Sequence, residues 1–179
     1  MSELTENNID ILQYTDDHTE THFEKFLIFS ILEKLYCFPS RFIGEIALFD
    51  TVYPLPLLPS YILGVVNRYS VPYALFDIGL LFFKKPVFTE TKNSKTNNKA
   101  RNKLLIFKEE IDKIAVLIDD VTGIVDIPQE NIFPIERSAE ANDITEAISA
   151  FFKWNDEDVF VIDIHRILTQ VGAVRGEIF

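Results

Sequence analysis

At 179 residues with 47% hydrophobic content, the chain can bury one compact core or two small adjacent ones, and its composition excludes fibrous and disordered classes. A formal charge of −11 argues against a nucleic-acid reader, whose affinity comes mostly from neutralising phosphates with a basic face. Sixteen Phe, together with Ile, Leu and Val, fit a pleated, half-buried surface, so composition favours sheet.

Residues 1–22 hold six acids and no Lys or Arg, with no sustained apolar period, and are expected to form a flexible acidic arm. From Phe26 the pattern changes. Short apolar runs at 26–32 and 35–39, divided by Glu33-Lys34, predict a hairpin, and 42–49 predicts a third strand with a bulge near Gly44. In 53–61, Pro54, Pro56 and Pro59 each remove a ladder donor and fix φ, so this segment is expected to cross outside the sheet. Ser60 reads as the cap of one helical turn ahead of Gly64, 67–70 as a turn and 71–78 as a strand.

Residues 84–103 carry seven bases against the single acid Glu90, and 89–103 are polar without period, which marks a basic linker. Beyond it, strands are predicted at 104–107, 113–118, 121–127, 147–154 and 159–164, with a helical turn after Pro128. The last two strands join through Asn155-Asp156-Glu157-Asp158. Ile167, Leu168 and Val171 stand at spacings of three and four, so 165–171 reads as a short amphipathic helix closed by Gly172.

These elements repeat. Leu27-Ile28-Phe29 running to Ile43-Gly44-Glu45-Ile46 matches Leu105-Ile106-Phe107 running to Thr122-Gly123-Ile124-Val125, at an offset of 78 that becomes 79 within the hairpin. Leu75-Phe76-Asp77-Ile78 likewise matches Val161-Ile162-Asp163-Ile164. A period of this size signals duplication, and two copies predict two lobes: lobe 1 at about 24–86, a linker at 87–103 and lobe 2 at about 104–172, with a tail at 173–179.

Few residues offer chemistry. Cys37 alternates within a strand between Tyr36 and Phe38 and reads as a small buried thiol; as the single cysteine it fits a reducing compartment. His18 and His22 lie in the acidic arm without further ligands, and His165 opens a helix, so zinc is not expected. Asp119 and Asp120 are adjacent in a strand and project to opposite faces, while Asp156, Glu157 and Asp158 read as turn chemistry. No catalytic set, cofactor loop or metal constellation emerges, and a binding protein without cofactors is expected. The apolar stretches 48–66 and 71–83 are interrupted by Asp50, Asp77 and prolines, whereas a span needs about 20 largely uncharged residues. No membrane insertion is expected. The first residues also lack a signal-peptide pattern, so the expected location is cytoplasmic.

Pro54-Leu55-Pro56-Leu57-Leu58-Pro59-Ser60-Tyr61-Ile62-Leu63-Gly64-Val65-Val66-Asn67, with Asp77 ten residues later, resembles the P-L-P-x-x-P-x-Y-x-x-G-x-x-N signature of CheW-like coupling domains of bacterial chemotaxis. The similarity spans about 24–171, within a domain taken as 23–172. It implies an all-β protein with a few short helices, built as two SH3-like five-stranded barrels from an internal duplication. It also implies a non-enzymatic adaptor that binds the regulatory domain of a CheA-type histidine kinase and the cytoplasmic tip of chemoreceptors. By matching position, Ile43 and Glu45 fall on the kinase-facing surface and Asn67, Arg68 and Tyr69 on the neighbouring turn. Ile43 reads equally as core, and Gly64 and Asn67 equally as backbone-shaping residues.

The chain departs from the family at that turn. Asn67-Arg68-Tyr69-Ser70 stands where Asn-Leu-Arg-Gly is usual, Tyr69 occupies the Arg position, and Ala74 replaces a Pro, with Pro72 displaced. Arg68 could substitute for the missing Arg only across a bulge. Two other readings stay open: a paralogue serving a separate array such as surface motility, or one lacking receptor coupling; and, more remotely, a carboxylate- or metal-dependent enzyme.

Overall fold

The computed structural model describes residues 21–49, 51–87, 103–136 and 146–175. The acidic arm to residue 20 and linker residues 88–102 lie outside them. The elements are β1 (Phe23–Ile31), β2 (Lys34–Pro39), β3 (Ile43–Leu48), β4 (Ile62–Arg68), β5 (Val71–Asp77), α1 (Ile78–Phe83), β6 (Lys103–Phe107), β7 (Ile114–Ile118), β8 (Asp120–Pro128), β9 (Phe133–Pro134), β10 (Ile148–Trp154), β11 (Glu157–Ile162) and α2 (Ile164–Arg175). They form two sheets, in the orders β8-β1-β2-β11-β10-β9 and β3-β6-β7-β5-β4.

That order corrects the expected lobe boundaries. The first hairpin of each half leaves its own half and pairs with strands of the other: β1 and β2 lie between β8 and β11, while β6 and β7 lie between β3 and β5. A lobe is therefore not a half of the sequence. The physical reason is that duplication makes the two hairpins interchangeable, and exchange lets their four strands bury both faces at the middle of the molecule.

Two-faced burial explains the continuous apolar runs of these strands. In β1, Leu27, Phe29 and Ile31 join one buried cluster, while Phe26 and Ile28 join another; in β2, Tyr36 and Phe38 part in the same way from Cys37. Phe29 stacks on Phe38 at 5.2 Å, and Phe38 meets Phe107 edge-on at 4.9 Å, carrying the first cluster from one sheet to the other. Phe26 and Phe152 pack at 5.2 Å in the second cluster. The outer strands β3 and β8 instead alternate between covered and exposed positions.

Duplication is visible atom by atom in the second hairpins. Every pair between β4 and β5 recurs 86 residues later between β10 and β11, so that Arg68↔Val71 becomes Trp154↔Glu157, and both carry a bulge at the same place. The helices that follow are capped by equivalent acids. Buried Asp77 accepts from Leu80 N–H at 3.0 Å and from Val87 N–H, and Asp163 accepts from His165 N–H at 2.9 Å. Helix α2 continues through Gly172 to Arg175 and is not closed at that glycine.

Residues 62–68 form a strand, where the sequence suggested a helical turn followed by a loop. A single turn precedes it, with Ile62 N–H donating to the Pro59 carbonyl at 2.9 Å. The proline segment then lies along the outer edge of β4, because Tyr53 and Val65 exchange two backbone hydrogen bonds of 2.8 and 2.9 Å. Gly64 makes this approach possible. Its φ is +140°, and a Cβ there would sit 2.3 Å from the Tyr53 carbonyl oxygen.

Replacing Gly64 by Ala is expected to cost about 3 kcal/mol, from a forbidden φ plus backbone overlap. Urea unfolding of the variant measures it; a loss below about 1 kcal/mol would contradict this packing. Cutting the chain between residues 94 and 95 is expected to give two pieces that are each unfolded alone and regain sheet circular dichroism when mixed. Independent folding of either piece would contradict the exchange of hairpins.

Candidate protein-docking site

Glu45 on β3 and Arg68 on β4 stand at opposite edges of the five-stranded sheet. A flat sheet would hold those edges about 19 Å apart, four spacings of roughly 4.8 Å. Instead Arg68 Nη2 donates to Glu45 Oε1, and Nε donates to Oε2 at 3.4 Å, so the sheet has rolled far enough to bring its two edge strands within side-chain reach. Glu45 shares a strand face with buried Ala47, and Arg68 with buried Val66. The ion pair thus spans the mouth of a small barrel. Its hydrogen bond to Glu45 pushes the Arg68 pKa up, which keeps the guanidinium charged.

Beyond Arg68 the chain turns back through Tyr69 and Ser70, with φ of 49° and 67°. The closing pair Arg68↔Val71 is regular, so the turn carries no bulge and Arg68 stays on the Glu45 side. Tyr69 takes the tip. It is 85% exposed, and the Arg68 guanidinium lies over its ring at 5.2 Å. A left-handed conformation costs a residue with a Cβ roughly 1–2 kcal/mol compared with Gly. Three two-residue turns of this kind occur among the described residues, at Leu32-Glu33, Tyr69-Ser70 and Asn155-Asp156.

Of the five residues matched to partner contacts, the fold gathers Glu45, Arg68 and Tyr69 at one corner. Asn67 is exposed but alternates away from Arg68. Ile43 is half-buried, packs against the core, and also lines a shallow groove of about 240 Å³ together with Leu27, Ser40, Gly44, Glu45, Ile46 and Ile124. Sequence reading missed Ile46 and Ile124, which are exposed on the edge strands β3 and β8. The repeat contained the signal: at an offset of 79, Gly44-Glu45-Ile46 aligns with Gly123-Ile124-Val125, and both glycines sit beside bulges. At the offset of 86 that relates β4-β5 to β10-β11, Arg68 aligns with Trp154, so the charged pair of one barrel becomes an apolar pair of positions in the other.

The other ionisable groups singled out in the sequence sit apart from this corner. Burial pushes the Cys37 thiol well up, which disfavours the thiolate. Asp119 accepts from Leu32 N–H at 2.7 Å, and burial raises its pKa; Asp120 pairs instead with Lys103. Asp158 pairs with Lys153 at 3.0 Å. Ala74, where the family has Pro, donates its N–H to the Lys113 carbonyl at 2.9 Å, a bond proline could not make. Among the described residues no three His, Cys, Asp or Glu side chains come together as a metal site, and no helix is long and apolar enough to cross a membrane.

Two rolled sheets sharing one apolar seam, with apolar side chains displayed on their edge strands, define a double-barrel scaffold of SH3-like lobes. The chain belongs to the CheW-like domain family, whose profile matches residues 25–172. The scaffolding protein TtCheW from Thermoanaerobacter tengcongensis has a similar structure, with a TM-score of 0.63 over 79% of this chain and 90% of that one, at 19% identity. At that identity the likeness establishes the fold. Comparison with curated proteins gives no match. Family membership supports a scaffold role of the chemotaxis type.

The Glu45–Arg68 pair is partly solvated, so a double-mutant cycle with Glu45→Gln and Arg68→Gln is expected to give a coupling of about 0.5–1 kcal/mol in urea melts. It should shrink as salt is raised to 0.5 M. A coupling indistinguishable from zero at low salt would mean that the pair does not close the barrel.

Proposed function

We propose that the protein is a cytoplasmic, non-enzymatic adaptor joining the regulatory domain of a CheA-type histidine kinase to the cytoplasmic tip of chemoreceptors. The observation that carries this reading is the family match across 25–172, together with apolar side chains held outward on edge strands. Ile46 and Ile124 flank one groove from different sheets, so a partner seated there touches both barrels at once. Contacts of this kind suit a transient interface of about 800 Å² per partner with a small apolar centre.

The turn Asn67-Arg68-Tyr69-Ser70 favours a second reading within the same class, a paralogue matched to its own kinase or array. Arg68 is drawn to Glu45 within the chain, so a kinase that reads a free Arg at this corner would find none at position 69. Titrating several kinase regulatory domains separates the two readings.

The purified chain is expected to bind a kinase regulatory domain and a receptor signalling fragment with affinities in about the micromolar range. Ile124→Asp should weaken at least one of the two by about tenfold or more, with an unchanged melting temperature, because the side chain is exposed. Calorimetric titration measures both. Absence of binding to every kinase and receptor probe would overturn the adaptor reading.

A further inference from the structure

The acidic arm joins the fold close to the groove that Ile46 and Ile124 flank. At the point of entry the His22 carbonyl accepts from Gln129 N–H at 2.9 Å, just beyond the end of β8. From there Phe23, Lys25 and Leu27 share one face of β1, and their cross-strand partners Pro128, Asp126 and Ile124 share it on β8. Phe23 and Ile124, 60% and 59% exposed, mark the two ends of this stripe, and the groove lined by Leu27, Ile46 and Ile124 lies at its inner end. Four residues of strand carry β1 from Phe23 to Leu27, about 13 Å.

The arm carries a matching segment. Within residues 1–20, Ile9, Ile11, Leu12 and Tyr14 stand close together, and the only other apolar side chains are Met1 and Leu4. Of the acids, Asp10 alone falls inside 9–14, so this is an apolar insert in a charged stretch. Tyr14 is eight positions before His22, a length of chain that reaches at most about 28 Å, enough to reverse direction and arrive at the groove. A chain laid back along the stripe brings Asp16 and Asp17 past Lys25, whose pairing with Asp126 is a loose 3.6 Å between side chains more than half exposed. Tethering also holds the segment at an effective concentration on the order of millimolar, so even a weak apolar contact is populated within the chain before a separate molecule competes for it.

We propose that residues 9–14 fold back along β1 and β8 and cover the groove between Ile46 and Ile124, forming an internal cap that a partner has to displace. The cap follows from the arm's own apolar residues and its point of attachment; its regulatory effect rests on the adaptor reading. A groove that is open in only a fraction of the molecules binds a partner more weakly by that fraction, so the arm sets a threshold for assembly. Ile46 and Ile124 then have two alternative coverings, one within the chain and one between chains.

Cys37 is buried, so a nitroxide attached at Gln13→Cys in the full chain marks the arm alone. The methyl signals of Ile46 and Ile124 are expected to broaden, and to recover when Ile11→Asp and Leu12→Asp are added. Absence of broadening, or broadening that persists unchanged in that variant, overturns the proposal. So does broadening centred instead on Val87 and Leu104 beside the basic linker, or seen only between copies in a mixture of spin-labelled and methyl-labelled chains. In titrations with a kinase or receptor probe, Ile11→Asp with Leu12→Asp should lower Kd about threefold or more relative to the parent, because the open fraction rises. An unchanged Kd in a chain whose methyl signals report the cap overturns the displacement. A chain that binds neither probe overturns the adaptor reading, while the methyl signals still decide the cap.

Discussion

The packing of two duplicated hairpins against each other is the constraint on which the molecule depends. β1-β2 and β6-β7 supply Phe29, Phe38 and Phe107 to a seam that no single sheet could close, and each hairpin contributes its other face to a barrel interior. Burying large apolar side chains is the dominant favourable term in folding, at about 25 cal/mol per Å². Strands used on both faces bury successive side chains, whereas the outer strands cover only alternate ones. The outer strands then pair onto the free edges of these hairpins, and their exposed faces follow from that placement. Because each barrel contains the other half's hairpin, the two halves of the sequence cannot part without breaking the β1–β8 and β3–β6 pairings.

Rolling of the five-stranded sheet connects this core to the candidate site. β3 and β4 approach because twist and bulges bend the sheet around its interior, and Gly44 supplies one of those bulges beside Glu45. Once the edge strands come within side-chain reach, a charged pair at the mouth is geometrically available, and Arg68 has a partner. The geometry of the corner is thus inherited from the barrel. The equivalent positions in the other sheet, Ile124 and Trp154, show that duplication conserved the frame while the side chains at its mouths diverged.

Much of this was legible in the sequence, and the boundary of legibility is physical. Apolar runs at 26–32 and 104–107 announced strands, and the repeat announced two lobes. Exchange between halves was not readable, since a duplicated hairpin presents the same pattern to its own half as to the other. The strand Ile62–Arg68 was hidden because prolines before it and Gly64 within it read as breakers, whereas their role is to lay a strap along its edge. At the corner, sequence position brought out Glu45, Arg68 and Tyr69, but not that two of them satisfy one another across the barrel mouth. Ile46 and Ile124 were passed over because an isolated exposed Ile carries no signal until two edge strands place it beside another.

Edge strands also decide how such a surface can be read. An open edge invites another strand to add to the sheet, which would give sequence-tolerant backbone recognition and a risk of aggregation. Each edge here is blunted: β4 by the Tyr53 strap, β9 by its length of two residues and Pro134, β3 by the bulge at Gly44, and β8 by a bulge and by Asp120 and Asp126, which pair with Lys103 and Lys25. Backbone ladders are thereby denied to a partner while the side chains between them stay outward. On the adaptor reading proposed above, recognition would then proceed through the shape and chemistry of individual outward residues such as Ile46 and Ile124. Substitution at a few outward positions can therefore redirect the protein's contacts while the exchanged hairpins, and with them the fold, are left alone.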